Sequence, residues 1–142
     1  MATLIDIKYR LMKIKNRMTN TLERRIAFDE VKRQNDTFYR PVSFDMWDRG
    51  YHEGCIHSIE QILELFDTYN LNNPQVSPMI QADVLNVCRY HESQKNGHAE
   101  RCQDKEASGD LLDSNDHRDA GFYHGCVRTY NTCHDDIKGV MM

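Results

Sequence analysis

The first apolar positions of the chain fall at Leu4, Ile7, Leu11, Ile14 and Met18, in alternating steps of three and four. That spacing places them on one seam of a helix that packs along its length. Lys8, Arg10, Lys13, Lys15 and Arg17 fill the other faces. Asn20-Thr21-Leu22-Glu23 has the form of a fresh N-cap with Glu at the third helical position, so a break or bend is expected there. The helical pattern resumes through Leu22, Ile26 and Val31. Arg33 to Pro41 then reads as a connection, because proline disfavours helix at the residue before it.

Ser43 is placed to cap a second helix, whose stripe runs Trp47, Tyr51, Cys55, Ile59, Ile62 and Phe66 and should end near Asn70. Ser77-Pro78 offers an N-cap followed by proline at the first helical position. Ile80, Val84, Val87, Cys88 and His91 continue a third helical face, and Asn96-Gly97 looks like its stop. The polar stretch 98–113 has almost nothing to bury and reads as a flexible linker. A fourth helix is expected from Ser114–Asp116 through Phe122, Cys126, Tyr130, Cys133 and Ile137, with fraying from Gly139 to Met142. No segment alternates with period two, so the pattern predicts an all-α, four-helix, single domain over 1–142.

An internal repeat adds to this. Asp48-Arg49-Gly50-Tyr51-His52-Glu53-Gly54-Cys55-Ile56-His57-Ser58 resembles Asp119-Ala120-Gly121-Phe122-Tyr123-His124-Gly125-Cys126-Val127-Arg128-Thr129, at an offset of 71 residues in a chain of 142. Two related αα units, 1–71 and 72–142, are therefore expected, although the first parts of the two halves do not match residue by residue. Glycine inside a helix costs about 1 kcal/mol against alanine, so four glycines need a reason. Gly50/Gly54 and Gly121/Gly125 each lie one turn apart, a spacing that lets two backbones approach closely. Helices two and four are expected to cross there, with Cys55 and Cys126 beside the crossing. Solvent-facing glycines would refute this.

Composition narrows the setting. Charged residues make up 28% and apolar residues 39%, and no apolar run approaches the ~20 residues of a membrane span. The start lacks a signal-peptide pattern, so a soluble, cytoplasmic protein is expected, with no membrane partner. Five cysteines, an odd and sparse set, suit reduced thiols better than a disulfide framework. The net charge of −4 hides a split: residues 1–40 carry ten Lys/Arg against five Asp/Glu, and residues 41–142 carry eight against seventeen. Such asymmetry fits a basic arm for nucleic acid, or two parts that attract each other.

Candidate chemistry is sparse. Cys88-x2-His91-x6-His98-x3-Cys102 has zinc-binding residue types, and a break at Gly97 would fold the two pairs together. Without that break the four could not surround one ion. His52-Glu53 is followed by His57 rather than by a histidine one turn on, so the metalloprotease motif fails. His134-Asp135-Asp136 and the Glu60/Glu64 pair suit solvated helix faces, and neither a phosphate loop nor a nucleophile elbow occurs. No catalytic residues are assigned and no enzyme is expected. Lys8, Lys15, Arg24, Arg25, Lys32 and Arg33 could track nucleic-acid phosphates. A chain of pI near 5.9 has the opposite of the usual footprint.

The leading expectation is a small helical protein-interaction module, of the regulator or inhibitor kind, binding another protein or a second copy of itself without a cofactor. Its texture is similar to that of small phage-encoded accessory proteins, with no motif behind the likeness. A nucleic-acid-binding module and a zinc- or ligand-binding domain are the alternatives.

Overall fold

Thr3 starts the first helix with a reciprocal capping box: its hydroxyl accepts from the Asp6 amide at 3.2 Å, and its own amide donates to the Asp6 carboxylate at 2.9 Å. In the computed structural model, which describes residues 2–141, helix α1 then runs without interruption over Leu4–Asn35. The break expected at Asn20 does not occur. The Thr21 hydroxyl bonds back to the Arg17 carbonyl at 3.0 Å, so it serves the helix it was expected to end. Helices α2 (Ser43–Asp67), α3 (Ser77–Ala107) and α4 (Ser114–Met141) follow, with a single 3₁₀ turn at Pro74–Val76 leading into α3. The described residues are helical and contain no strand.

Several boundaries differ from expectation. Ser43 and Ser77 are the first helical residues, not caps, and Asn73 instead caps the 3₁₀ turn through the Gln75 amide. Gly97 does not stop α3, and the supposed linker 98–113 is helical through Ala107. The stop lies at Gly109, which has φ 83°. Its amide donates to the Glu106 carbonyl and the Asp110 amide to the Lys105 carbonyl, at 3.0 and 2.9 Å. This is the paired C-terminal closure that a left-handed glycine permits. At the far end α4 persists to Met141 where fraying was expected from Gly139; Met142 lies outside the described residues.

Cross-helix contacts give the topology. Lys8 pairs with Asp67, Lys15 with Glu60 and Arg25 with Asp45, so α1 and α2 are antiparallel. Cys88 meets Asn131, Lys95 meets His124 and Lys105 meets Asp116, so α3 and α4 are antiparallel too. Between α2 and α4 the contacts advance together: Gly50 faces Arg118 and Gly54 faces Phe122, while Gly121 faces Trp47 and Gly125 faces Tyr51. These two inner helices run parallel, flanked by α1 and α3, and both hairpin connections lie at one end of the bundle.

The glycines meet backbone, not solvent. A Cβ placed on Gly50 would lie 2.7 Å from the Arg118 carbonyl carbon, one on Gly54 2.9 Å from that of Phe122, and one on Gly121 2.8 Å from that of Trp47. On Gly125 it would lie 3.1 Å from the Cys55 nitrogen. Each facing carbonyl oxygen is nearer still, in the direction of a glycine Cα–H, the weak contact that recurs at close helix crossings. The Cys55 thiol donates to the Gly125 carbonyl at 3.6 Å and the Cys126 thiol to the Gly54 carbonyl at 3.5 Å. All of these contacts are reciprocal at the 71-residue offset.

The apolar core lies at the other end, where Leu4, Ile7 and Leu11 of α1 pack with Ile59, Ile62 and Phe66, with Ile80 and Val84, and with Tyr130, Cys133 and Ile137. Ile7, Phe66, Ile80 and Ile137 are fully buried, each contributing roughly 1.5–3 kcal/mol. Burial on the outer helices repeats at an offset of 73, not 71: Leu4, Ile7 and Leu11 correspond to Ser77, Ile80 and Val84. The second hairpin's connection is correspondingly tighter.

Candidate functional site

Three groups of residues carried the functional expectations, and their surroundings differ. Gly50, Gly54, Cys55, Gly121, Gly125 and Cys126 come together as the helix crossing, which is filled with backbone. Burial pushes the Cys126 thiol up to about 11 and raises that of Cys55, which removes thiolate character at neutral pH.

Of the six candidate phosphate contacts, Lys8 and Lys15 are paired with Asp67 and Glu60. Arg25 spans Asp45 and Asp48, at 3.0 and 3.1 Å. Lys32 lies 5.3 Å over the Phe28 ring. Arg24 and Arg33 make no ion pair among the described residues.

The four-residue zinc cluster does not assemble. Because α3 is continuous through Gly97, Cys88 and Cys102 are separated along the axis by roughly 21 Å, at 1.5 Å per residue. Cys88 is buried against α4, its thiol 3.3 Å from the Asn131 side-chain oxygen, and burial raises its pKa to about 11. His91 stacks on Tyr130 at 5.1 Å, and its Nδ1 has no partner among the described residues. Burial, with a smaller repulsion from His57, lowers its pKa.

What assembles instead uses the second pair of that cluster and one residue from α4. His98 and Cys102 lie one turn apart on α3, with Cys102 Sγ 3.7 Å from His98 Nε2 and 3.8 Å from Nδ1. Donor atoms of His98, Cys102 and Asp116 all lie within 4.8 Å of one another. Only 7% of His98 is exposed, yet its only hydrogen-bonding contacts among the described residues are to that thiol.

The start of α4 holds Asp116 in place. Asp113 acts as N-cap: its carboxylate accepts from the Asp116 amide at 2.8 Å, and its amide donates to Asp116 Oδ2 at 3.0 Å. Lys105 Nζ binds the same Oδ2 at 2.8 Å, and these two donors hold the Asp116 carboxyl below the usual carboxylate range. The Cys102 thiol is raised by burial and then by Asp116. A groove of about 310 Å³ opens beside the three residues, walled by Trp47, Lys95, Leu112, Tyr123 and His124.

The first hairpin has a counterpart at each position. Applying the 73-residue offset to α3 and the 71-residue offset to α4 maps His98 to Arg25, Cys102 to Asp29 and Asp116 to Asp45. There the protein's own charges pair with one another, beside a groove of about 430 Å³ lined by Arg24, Arg25, Phe28, Asp29 and Asp45. Arg25 neutralises Asp45 and Asp48, and the buried Asp29 accepts from the Tyr39 hydroxyl at 3.2 Å.

A further feature sits at the tip of that first hairpin. Phe28, Val31, Phe38, Val42 and Phe44 are each more than half exposed, Phe38 at 89%. The sequence pattern had placed Val31 on the packed face of the first helix. No helix of the described residues is long and apolar enough to cross a membrane. Comparison with protein-family models, curated protein sequences and solved structures found no match to this chain.

Proposed function

We propose that the chain is a protein-interaction module that self-associates through its hairpin tips. The observation that carries this reading is the apolar tip formed by Phe28, Val31, Phe38, Val42 and Phe44. Five large apolar side chains exposed along one hairpin favour burial against a partner. A second copy is the partner whose charge fits. Residues 24–45 at this tip carry five Lys/Arg against four Asp/Glu, whereas residues 98–119 at the neighbouring tip carry three against seven. Leu111, 91% exposed, offers an apolar contact in the middle of the acidic tip. A twofold end-to-end dimer would set each apolar, mildly basic tip against an acidic one, twice over. The proposal assigns no catalytic step.

Sedimentation equilibrium of the purified full chain between 5 and 100 μM tests it. A dimer is expected, weakened by salt and lost in the Phe38→Asp/Phe44→Asp variant, with unchanged circular dichroism. A monomer at 100 μM in low salt would overturn the proposal. So would salt-sensitive retention of nucleic acid that abolishes self-association, because that result moves the tip's function to phosphate binding.

A further inference from the structure

We infer that His98, Cys102 and Asp116 form a transition-metal site that takes Zn²⁺, with one coordination position open to the adjoining groove. The inference is independent of self-association.

The donor chemistry comes first. An imidazole and a thiolate together select borderline and soft ions, while Ca²⁺ and Mg²⁺ require oxygen ligands. With Cys102 and Asp116 ionised and His98 neutral, the three ligands carry two negative charges, and Lys105 beside Asp116 adds one positive charge to the site. Three protein ligands and a fourth position open to solvent is the usual form of a reactive zinc site, whereas structural sites are closed by four.

Geometry points the same way. The donor atoms already lie within 4.8 Å of one another, so convergence needs side-chain rotation and no helix movement. His98 is nine-tenths buried, its ring tilted against Tyr123 at 5.4 Å, and a thiol is its only hydrogen-bonding contact among the described residues, a poor match for an imidazole. Asp116 Oδ2 is held by Lys105 and the Asp113 amide, which fixes the carboxylate in place. Such anchoring of a ligating carboxylate is what metal sites use to fix their ligands.

The first hairpin supplies the comparison. In the corresponding place the Arg25 guanidinium supplies the cation that Asp45 and Asp48 need. The second hairpin has replaced that guanidinium with an imidazole and the buried Asp29 with a thiol. The ammonium of Lys105 hydrogen-bonds to one oxygen of Asp116 and to neither His98 nor Cys102, which leaves the donor atoms of those two free of it.

The test uses untagged full-length protein titrated with Zn²⁺ and with Co²⁺ as a spectroscopic probe. One equivalent is expected to bind, with a thiolate-to-cobalt charge-transfer band and a higher unfolding temperature for the zinc-loaded protein. His98→Ala, Cys102→Ser and Asp116→Asn should each weaken binding by at least about tenfold. Cys88→Ser and His91→Gln should leave it unchanged. Absence of binding at 100 μM Zn²⁺ would overturn the inference. So would a cobalt complex without the thiolate band, or affinity that survives Cys102→Ser while that variant keeps the native helical signal.

Discussion

Replacing Gly50 by alanine tests the central contact of the fold. The added Cβ would stand 2.7 Å from the Arg118 carbonyl carbon, and this neighbour is helix backbone with no rotamer to escape into. The carbonyl oxygen is nearer still, so restoring ordinary contact requires α2 and α4 to separate by at least roughly 1 Å. A gap of that size forfeits about a quarter to a half of each close atom contact, worth about 0.1–0.2 kcal/mol apiece. Over the few tens of atom pairs at such a crossing, that comes to about 1–4 kcal/mol. The glycine Cα–H contacts to carbonyls would weaken as well, at about 0.5–1 kcal/mol each. Alanine returns about 1 kcal/mol of helix propensity, which leaves a net loss of about 2–5 kcal/mol. That is a large part of the 5–15 kcal/mol typical of a domain. Gly97→Ala is the matched control on α3, where the nearest atom is the mobile end of Arg101 at 3.4 Å. It should stabilise by up to about 1 kcal/mol. Urea unfolding followed by circular dichroism measures both. If Gly50→Ala is as stable as the parent, or Gly97→Ala loses as much as Gly50→Ala, the backbone contact is not what holds the inner helices.

Stability should fall on both sides of neutrality. Burial lowers the pKa values of His91 and His124 below 6.5, so the unfolded chain binds more protons than the native one in acid, and urea midpoints should drop as pH falls below about 6.5. Burial raises Cys88 and Cys126 to about 11 and Cys133 to about 12, against 9.0 unperturbed. The unfolded thiols therefore ionise first, and midpoints should also drop from about pH 9 toward pH 12; a profile flat across both windows would contradict the burial assigned to these groups. Among the five thiols only Cys102 is not buried, so a disulfide-exchange reagent should label it first in the native protein and label all five after denaturation. Prior labelling of Cys133 would show that the core opens more readily than its packing implies.

What the sequence revealed was decided by the kind of surface each segment buries. The crossing at Gly50, Gly54, Gly121 and Gly125 was readable because a glycine one turn from another has few uses inside a helix other than close approach. The core stripes Cys55–Ile59–Ile62–Phe66 and Cys126–Tyr130–Cys133–Ile137 were readable because they are apolar at helical spacing. The far half of α3 was not, and the reason is physical. Its inward face is made of His98, Cys102 and Lys105, which meet α4 through a ring contact with Tyr123, a thiol near Asp116 and an ion pair with Asp116. Apolar periodicity cannot register such a face, so 98–107 read as linker. The boundary signals were present but misassigned: Gly109, not Gly97, adopts the left-handed stop, and Asp113 with Asp116 forms the capping pair. Asp116 was also missing from the metal cluster for this reason. A straight α3 separates the two pairs of that cluster, and only the hairpin turn brings in a ligand from the next helix.

The reciprocal contacts of α2 and α4 make the differences between the halves informative. At the 71-residue offset Trp47 corresponds to Arg118 and Glu53 to His124. One pair is an ion pair between Arg118 and Glu53, and its counterpart is the ring contact of Trp47 with His124 at 5.4 Å. Arg128 over Tyr51 likewise corresponds to His57 against Phe122. The backbone contacts of α2 and α4 are thus alike at the 71-residue offset while the side-chain pairs around them differ. On the first hairpin, Arg25 pairs with Asp45 and Asp48 and Asp29 accepts from Tyr39, beside the exposed apolar tip. On the second, His98, Cys102 and Asp116 leave metal-ligating donors facing a groove, beside an acidic tip. The two hairpins therefore differ: the first presents apolar side chains beside Arg24 and Arg33, and the second presents an acidic tip beside the His98, Cys102 and Asp116 donor atoms. The apolar tip and the His98–Cys102–Asp116 cluster share one frame because the glycine crossing fixes α2 against α4: Trp47, whose backbone meets Gly121, also walls the groove beside the cluster.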